Sequence, residues 1–345
     1  WNQTHARLHP EKTSPDELIK KTVELSTVSR NLAPGADIYG PMFFGWTDAY
    51  HWGLSAIQFT KLNKAILNRN DAWFVDYYLD TLRKVEEETG IRPIDAVAFH
   101  WYPESYGPLT KKRIVDLDNE SSDAELISSD MIEARLQAPR ALWDSKYTYL
   151  GNNGGTSYVC TQGGQAIISK IKNSINNYYP GTKIAFTEFE YDAEDHWSGG
   201  LCLVDVLGVF AREDVYLACK WDTFKKYSIA AYNLYLNYDG NGSQYGKTSV
   251  YAMQSDTVSL SSFASIDENK NLHIVVVNKT HLEQNTTFNI ENGLYSDGVV
   301  YGFGQTSSNI SQLGTIDNIE NSSFSYTVPA YSAIHIILNV IPQTE

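Results

Sequence analysis

Two periods divide the chain. Up to about residue 247, short apolar runs alternate with stretches of helical spacing. Beyond it, apolar and polar positions alternate in twos between Gly, Asn, Asp and Ser. Ser14-Pro15-Asp16-Glu17 has the form of a capping box, and Leu18, Leu25, Val28 and Leu32 follow at roughly helical spacing until Pro34-Gly35. Asp37-Ile38-Tyr39-Gly40-Pro41 reads as a buried strand leaving into the aromatic loop Met42-Phe43-Phe44-Gly45-Trp46. A helix over 71–88 carries Phe74, Tyr78, Leu82 and Val85 on one face. It leads to a second strand, Asp95-Ala96-Val97-Ala98-Phe99-His100-Trp101-Tyr102-Pro103. A long connection over 107–153 holds a helix near 123–136, and 162–178 forms the next main helix through Ile167, Ile171, Ile175 and Tyr178. The third strand, Lys183-Ile184-Ala185-Phe186-Thr187-Glu188-Phe189-Glu190, ends abruptly in a carboxylate. A helix over 201–212, a fourth strand over 215–221 ending in Trp221, and a helix over 228–238 complete the series.

Strand and helix alternating with this crossover length call for a parallel sheet. Strand-like segments follow at 258–264, 272–277, 286–290, 298–303, 324–328 and 333–340, the pattern of a β-sandwich. The expected fold class is therefore α/β plus all-β, with residues 1–247 as the α/β domain and 248–345 as a β-sandwich domain. Four strand–helix units are half of what a closed (β/α)8 barrel needs. The expectation is half of such a barrel, completed by residues absent here; the alternative is an open four-stranded sheet.

Composition narrows the partners. At 345 residues the chain is 42% hydrophobic and 20% charged, and 13% aromatic with 8 Trp and 23 Tyr. A net charge of -14 offers no basic patch for nucleic acid and suits a neutral ligand. Cys160, Cys202 and Cys219 are too few and too scattered for a disulfide framework or a zinc site. No apolar run reaches membrane-spanning length. Seven Asn-X-Ser/Thr sequons, at Asn2, Asn119, Asn241, Asn278, Asn285, Asn309 and Asn321, are glycan acceptors if the protein is secreted by a eukaryotic cell. The chain opens on Trp1 with neither an initiating Met nor a signal-peptide pattern, as expected of a processed chain or of part of a longer one.

A carboxylate at the C-terminal end of a barrel strand stands where catalytic groups sit, and glycoside hydrolysis needs two of them flanking the scissile bond. Several segments together resemble glycoside hydrolase family 44, whose members are endo-β-1,4-glucanases and xyloglucanases. They are Gly40-Pro41 with Gly45-Trp46, Phe99-His100-Trp101-Tyr102-Pro103, Gln137-Ala138-Pro139-Arg140-Ala141-Leu142-Trp143-Asp144, Thr187-Glu188-Phe189, His196-Trp197-Ser198-Gly199-Gly200, Asp205-Val206-Leu207-Gly208-Val209-Phe210, Asn237-Tyr238-Asp239-Gly240 and Gly246-Lys247-Thr248-Ser249-Val250. They run in family order over roughly residues 1–280. The resemblance implies a (β/α)8 TIM-type barrel with an appended β-sandwich, of which residues 1–247 are the second half, strands five to eight; it also implies a retaining mechanism with Glu188 as nucleophile, and a β-glucan substrate. It also implies that Trp1, Trp46, His100, Trp101, Tyr102 and Trp221 line the cleft.

Two departures qualify it. The family usually has a Tyr after the nucleophile and then a glycine-rich turn; here the run is Phe189-Glu190-Tyr191-Asp192-Ala193-Glu194-Asp195. A hydroxyl beside the nucleophile is expected to be lost, and no cofactor is expected beyond a structural calcium that the acidic loop offers oxygens to. The family's acid/base Glu precedes the Trp that matches Trp1, so it is expected just upstream, on an N-terminal fragment that completes the barrel. The expectation is thus a secreted, extracellular glycoside hydrolase. The competing reading is a catalytically inactive extracellular structural or carbohydrate-binding glycoprotein on the same fold.

Overall fold

The computed structural model describes residues 9–11, 13–44, 73–115, 127–149 and 166–342, together with positions 7, 49, 50, 52, 58 and 61. The α/β part runs α1 (Pro15–Leu32), β1 (Tyr39–Phe43), α2 (Phe74–Thr89), β2 (Ala96–Trp101), α3 (Ser129–Gln137) with a 3-10 turn at Ala138–Leu142, α4 (Ile167–Tyr178), β3 (Lys183–Phe189), α5 (Trp197–Arg212), β4 (Leu217–Lys220) and α6 (Lys226–Leu236). The ends follow their local chemistry. Ser14 Oγ accepts the Glu17 amide at 3.1 Å to start α1, and Gly90, with φ at 71°, closes α2 in a left-handed conformation.

Strands β1 to β4 form one parallel sheet in chain order. Its two faces differ in side-chain size. Val97, Phe99, Trp101, Ile184 and Phe186 face the helices and belong to the main core. Ala96, Ala98 and Ala185 line the other face with Tyr39 and Leu217. The alternation breaks once, in β3: Phe186 pairs with Phe99, but Glu188 pairs with His100, leaving Thr187 as the extra residue of a bulge. The same residue is skipped on the other side, where Phe186 pairs with Ala218 and Phe189 with Lys220. Without the bulge, Glu188 would point with Ile184 and Phe186 into the helix layer. With it, Glu188 joins His100 on the small-residue face.

The second half contains β5 (Thr248–Val250), β6 (Leu260–Ile266), β7 (Leu272–Asn278), β8 (Gln284–Asn289), β9 (Tyr295–Gly304), β10 (Ser307–Ile316), β11 (Ser323–Val328) and β12 (Ser332–Val340). Six of them make a sheet ordered β10-β9-β12-β7-β6-β5, and β8 pairs with β11 separately; all the pairs are antiparallel. Phe288, Phe324 and Val328 of the small sheet cover Ile274, Val276, Val300 and Ile336 on one face. On the opposite face Phe263, Val275, Val277, Phe303 and Ala333 join the core of the helices. Every residue of β7 is buried as a result. No helix among the described residues is long and apolar enough to cross a membrane.

Two features were not legible in the sequence pattern. Of the helical stripe of α1, Leu18, with Ile19 and Val23, packs on the core, while Leu25, Val28 and Leu32 are exposed, Leu32 by 81%. The spacing identified the helix, but packing against α2 selects its first half. Strand β10 was not expected: Ser307–Ile316 is a polar edge strand with few buried positions, so it has no core face to show in its sequence.

The approach of α5 to the large sheet turns on Gly208, where a Cβ would lie 2.2 Å from the Phe263 ring. Helix propensity alone favours Ala over Gly by about 1 kcal/mol. Overpacking a closed core costs about 1–3 kcal/mol, so we expect Gly208→Ala to be destabilising on balance. Urea unfolding measures it. An unchanged or raised midpoint would mean that the ring moves aside freely.

Candidate active site

The bulge at Thr187 brings three side chains together at the C-terminal ends of β2 and β3. The Tyr102 hydroxyl donates to Glu188 Oε2 at 2.7 Å. His100 Nδ1 lies 3.0 Å from the same oxygen, close enough for charge attraction, but off the hydrogen-bonding direction, so that this buried nitrogen has no hydrogen-bond partner among the described residues. Burial lowers the His100 pKa against the opposing pull of Glu188, which favours the neutral imidazole. Burial, and then the Glu188 carboxylate, push the Tyr102 hydroxyl well above the usual tyrosine range, so it stays a donor. Held at Oε2, the Glu188 carboxylate keeps Oε1 for other chemistry and remains 26% exposed. Around it stand the half-exposed ring of Phe44, 6.0 Å from His100, and the exposed rings of Trp221 and Phe224 beyond β4.

A buried ionic cluster anchors the loop that follows Glu188. The Lys220 ammonium, on the helix side of β4, donates to Glu190, to Glu194 Oε1 at 2.8 Å and to the Trp221 carbonyl at 2.9 Å. Glu190 Oε1 also accepts the Tyr191 and Asp192 amides, each at 2.8 Å. Burial and the charge of Glu194 raise the Glu190 pKa to about 8 despite the ammonium. Burial alone would lower Lys220, but the two carboxylates outweigh it and hold it above the ordinary lysine range. One buried ammonium thus faces two buried carboxylates. On the other side of the loop, fully buried Arg135 donates to the Tyr191 and Ile114 carbonyls and to Ser198 Oγ.

The residues singled out in the sequence separate into groups. Glu188, His100 and Tyr102 meet, and Trp221 stands at the neighbouring strand end. Trp101 does not line a cleft: its ring is fully buried on the helix side and its Nε1 donates to the Tyr191 hydroxyl at 2.7 Å. Trp1, Trp46, Asn2, Asn119 and Cys160 lie outside the described residues. The hydroxyl expected to be missing after Glu188 would not have served it, because Phe189 points away into the core against Phe210; Tyr102 supplies the hydroxyl instead. Glu104 is held by Arg113 at 2.7 Å. The acidic loop that offered oxygens to a structural calcium has a lysine among them. Oxygens of Glu190, Asp192 and Glu194 come within 4.8 Å of one another, but Lys220 already lies against two of the three, and calcium takes six to eight oxygens. Asn278 is no glycan acceptor, since it is fully buried and its amide donates to the Leu282, Val328 and Pro329 carbonyls. Asn241, Asn285, Asn309 and Asn321 are exposed.

Sequence reasoning missed Lys220, Arg135, Phe44 and Phe224. Lys220 had a signal: it is the one charged residue inside the apolar run 215–221. Arg135 had none, since its partners are carbonyls distant in sequence.

The model of glycoside hydrolase family 44 matches residues 1–105. "Endoglucanase A" of Paenibacillus lautus is 39% identical over 98% of this chain, which spans 46% of that protein. Among solved structures, a family 44 endoglucanase produced by Clostridium acetobutylium ATCC 824 superposes with a TM-score of 0.87 at 37% identity. A Paenibacillus polymyxa xyloglucanase of the same family superposes with 0.86 at 36% identity. This chain is covered to 98% and 99% and spans 64% of each of them.

Proposed function

The chain belongs to glycoside hydrolase family 44, and from that premise we propose that it bears the nucleophile of a retaining β-1,4-glucanase or xyloglucanase. The observation that carries the reading is the bulge at Thr187, which turns Glu188 out of the helix layer and sets it against Tyr102 and His100. A carboxylate so placed is unlike a surface side chain: one oxygen is fixed and the other is left to attack.

In the proposed reaction Oε1 of Glu188 attacks the anomeric carbon and displaces the leaving sugar, forming a glycosyl-enzyme. Neutral His100 adds no competing positive charge. The Tyr102 hydroxyl, kept protonated, orients the carboxylate and stabilises it again when water releases the sugar. Trp221 and Phe44 give the sugar rings apolar faces to lie on. The acid/base carboxylate belongs, in this reading, to strands that close these four into a (β/α)8 barrel, within about 5–5.5 Å of Glu188. A polymeric glucan places the enzyme outside the cell. The scaffold reading leaves the turned and hydrogen-bonded Glu188 without a use.

Stereochemistry tests the proposal. Proton NMR of a cellulo- or xyloglucan-oligosaccharide digested by the full-length protein is expected to show the β-anomer first, with the α-anomer appearing only by mutarotation. An initial α-product would mean inversion and would exclude Glu188 as a nucleophile.

A further inference from the structure

A second concave site lies away from the tip of β3. A cavity of about 630 Å³ runs between α6 with its exit at Asn237–Gly240 and the β9–β10 hairpin. None of its lining residues comes from the strand ends of the parallel sheet. We propose that it is an auxiliary binding site for a neutral oligosaccharide. That the sugar is a β-glucan rests on the reaction proposed above; that the groove takes a neutral sugar rests on its own lining.

The size lies within the range of small-ligand pockets, about 300–1,000 Å³. Along the walls, the side chains of Asn233, Asn309, Ser311 and Gln312 form no hydrogen bond with another described residue. Amides and hydroxyls of this kind both donate and accept, which is what sugar hydroxyls require of a partner. At the floor the rings of Tyr238 and Tyr301 lie 5.4 Å apart at 48°, and Tyr238 is braced edge-on against His335 at 4.5 Å. They give a fixed apolar surface beneath the polar rim.

Charge excludes other ligands. The two charged residues of the lining are already engaged: Lys226 lies 3.6 Å from Asp195, and Asp239 accepts from the Asn241 and Ser243 amides and the Ser243 hydroxyl. The single ammonium of the lining is exposed and faces Asp195, and the chain's net charge of -14 opposes an anion. Position links the groove to the active site, since Lys226 at its upper end follows shortly after Trp221 and Phe224. Asn309 is also a sequon on the rim, so an N-glycan there would supply the same chemistry from within the chain.

Binding is separable from hydrolysis. The full-length protein carrying Glu188→Gln, made in a non-glycosylating host, is titrated calorimetrically with xyloglucan and cellulose oligosaccharides. Mannan and xylan oligosaccharides form a second panel. Two sites are expected, one of them lost in the double variant Asn233→Ala/Gln312→Ala, both on solvent-facing side chains. With Glu188 intact, that double variant is expected to cleave a short soluble substrate at the parent rate and to bind insoluble polymer about tenfold more weakly. Loss of glucan binding at both sites, with one site kept for another neutral sugar, would reject the glucanase reading and keep the groove. In glycosylated material a single site, restored to two by Asn309→Gln, would identify the glycan as the occupant. One site for every sugar in unglycosylated protein, unaltered by the double variant, would overturn the proposal.

Discussion

Glu188→Gln is expected to lower kcat on a soluble β-glucan by at least about three orders of magnitude, with KM changed much less. Removal of a covalent nucleophile in other enzymes costs up to about 10⁶ in kcat, because no other group present can form the bond. The amide is nearly isosteric, so Tyr102 and the surrounding rings keep their places and substrate still binds. The sharper form of the prediction uses Glu188→Gly, which opens space on the attacking face. Azide added to that variant should enter, bond to the anomeric carbon and displace the leaving sugar, which departs with a proton from the acid. The product would be a glycosyl azide of inverted configuration, because a single displacement replaces two. Rescue with that stereochemistry identifies the position as the nucleophile's, whereas a misfolded protein would not respond to azide. If Glu188→Gln kept more than about a tenth of the parent activity, the assignment of Glu188 would be lost.

That residue also marks where sequence reading succeeded and where it stopped. The carboxylate closing an apolar run was visible, and so were the helices whose ends are written locally, as at Ser14 and Gly90. The reason it leaves the helix layer was not. By strict alternation Glu188 is in phase with Ile184 and Phe186, two core residues, and only the pairing of His100 with Glu188 shows that Thr187 is passed over. Trp101 failed for the related reason that its phase with Val97 and Phe99 sends it to the helix layer, where its indole finds Tyr191. Asn278 matched a glycosylation motif that takes no account of burial, although it closes the apolar run Ile274-Val275-Val276-Val277. Leu25, Val28 and Leu32 had the right spacing for a buried face, but spacing predicts that a face is apolar, not what covers it. In each case the missing information is a contact between segments far apart in the chain.

Lys220 is the strongest case of such a contact, and its removal should have the largest effect on stability. The ammonium is 2% exposed and the two carboxylates 3% and 1%, so Lys220→Met would leave negative charge buried with no counterion. Breaking a buried ion pair from one side costs about 3–5 kcal/mol. The loss should depend on pH. Glu190 has its pKa raised from 4.5 to about 8 on folding, so its contribution to stability is fully present below about pH 4.5 and is lost as pH rises through about 8. Without Lys220 its carboxyl would hold the proton still more tightly, and the penalty for ionising it in place would grow. We therefore expect the variant to be only moderately weakened near pH 5.5, where the Glu190 carboxyl is protonated and needs no counterion, and most weakened near pH 8.5. Urea unfolding at the two pH values measures the difference. Adding Glu190→Gln to Lys220→Met should recover part of the loss at pH 8.5, since one carboxylate is then removed with the ammonium. Because the cluster fixes the loop directly behind Glu188 and holds the Trp221 carbonyl, the single variant should also lose activity at temperatures where it remains folded. A stability loss of the same size at both pH values, with no recovery in the double variant, would mean that the lysine stem rather than its charge holds this end of the parallel sheet together.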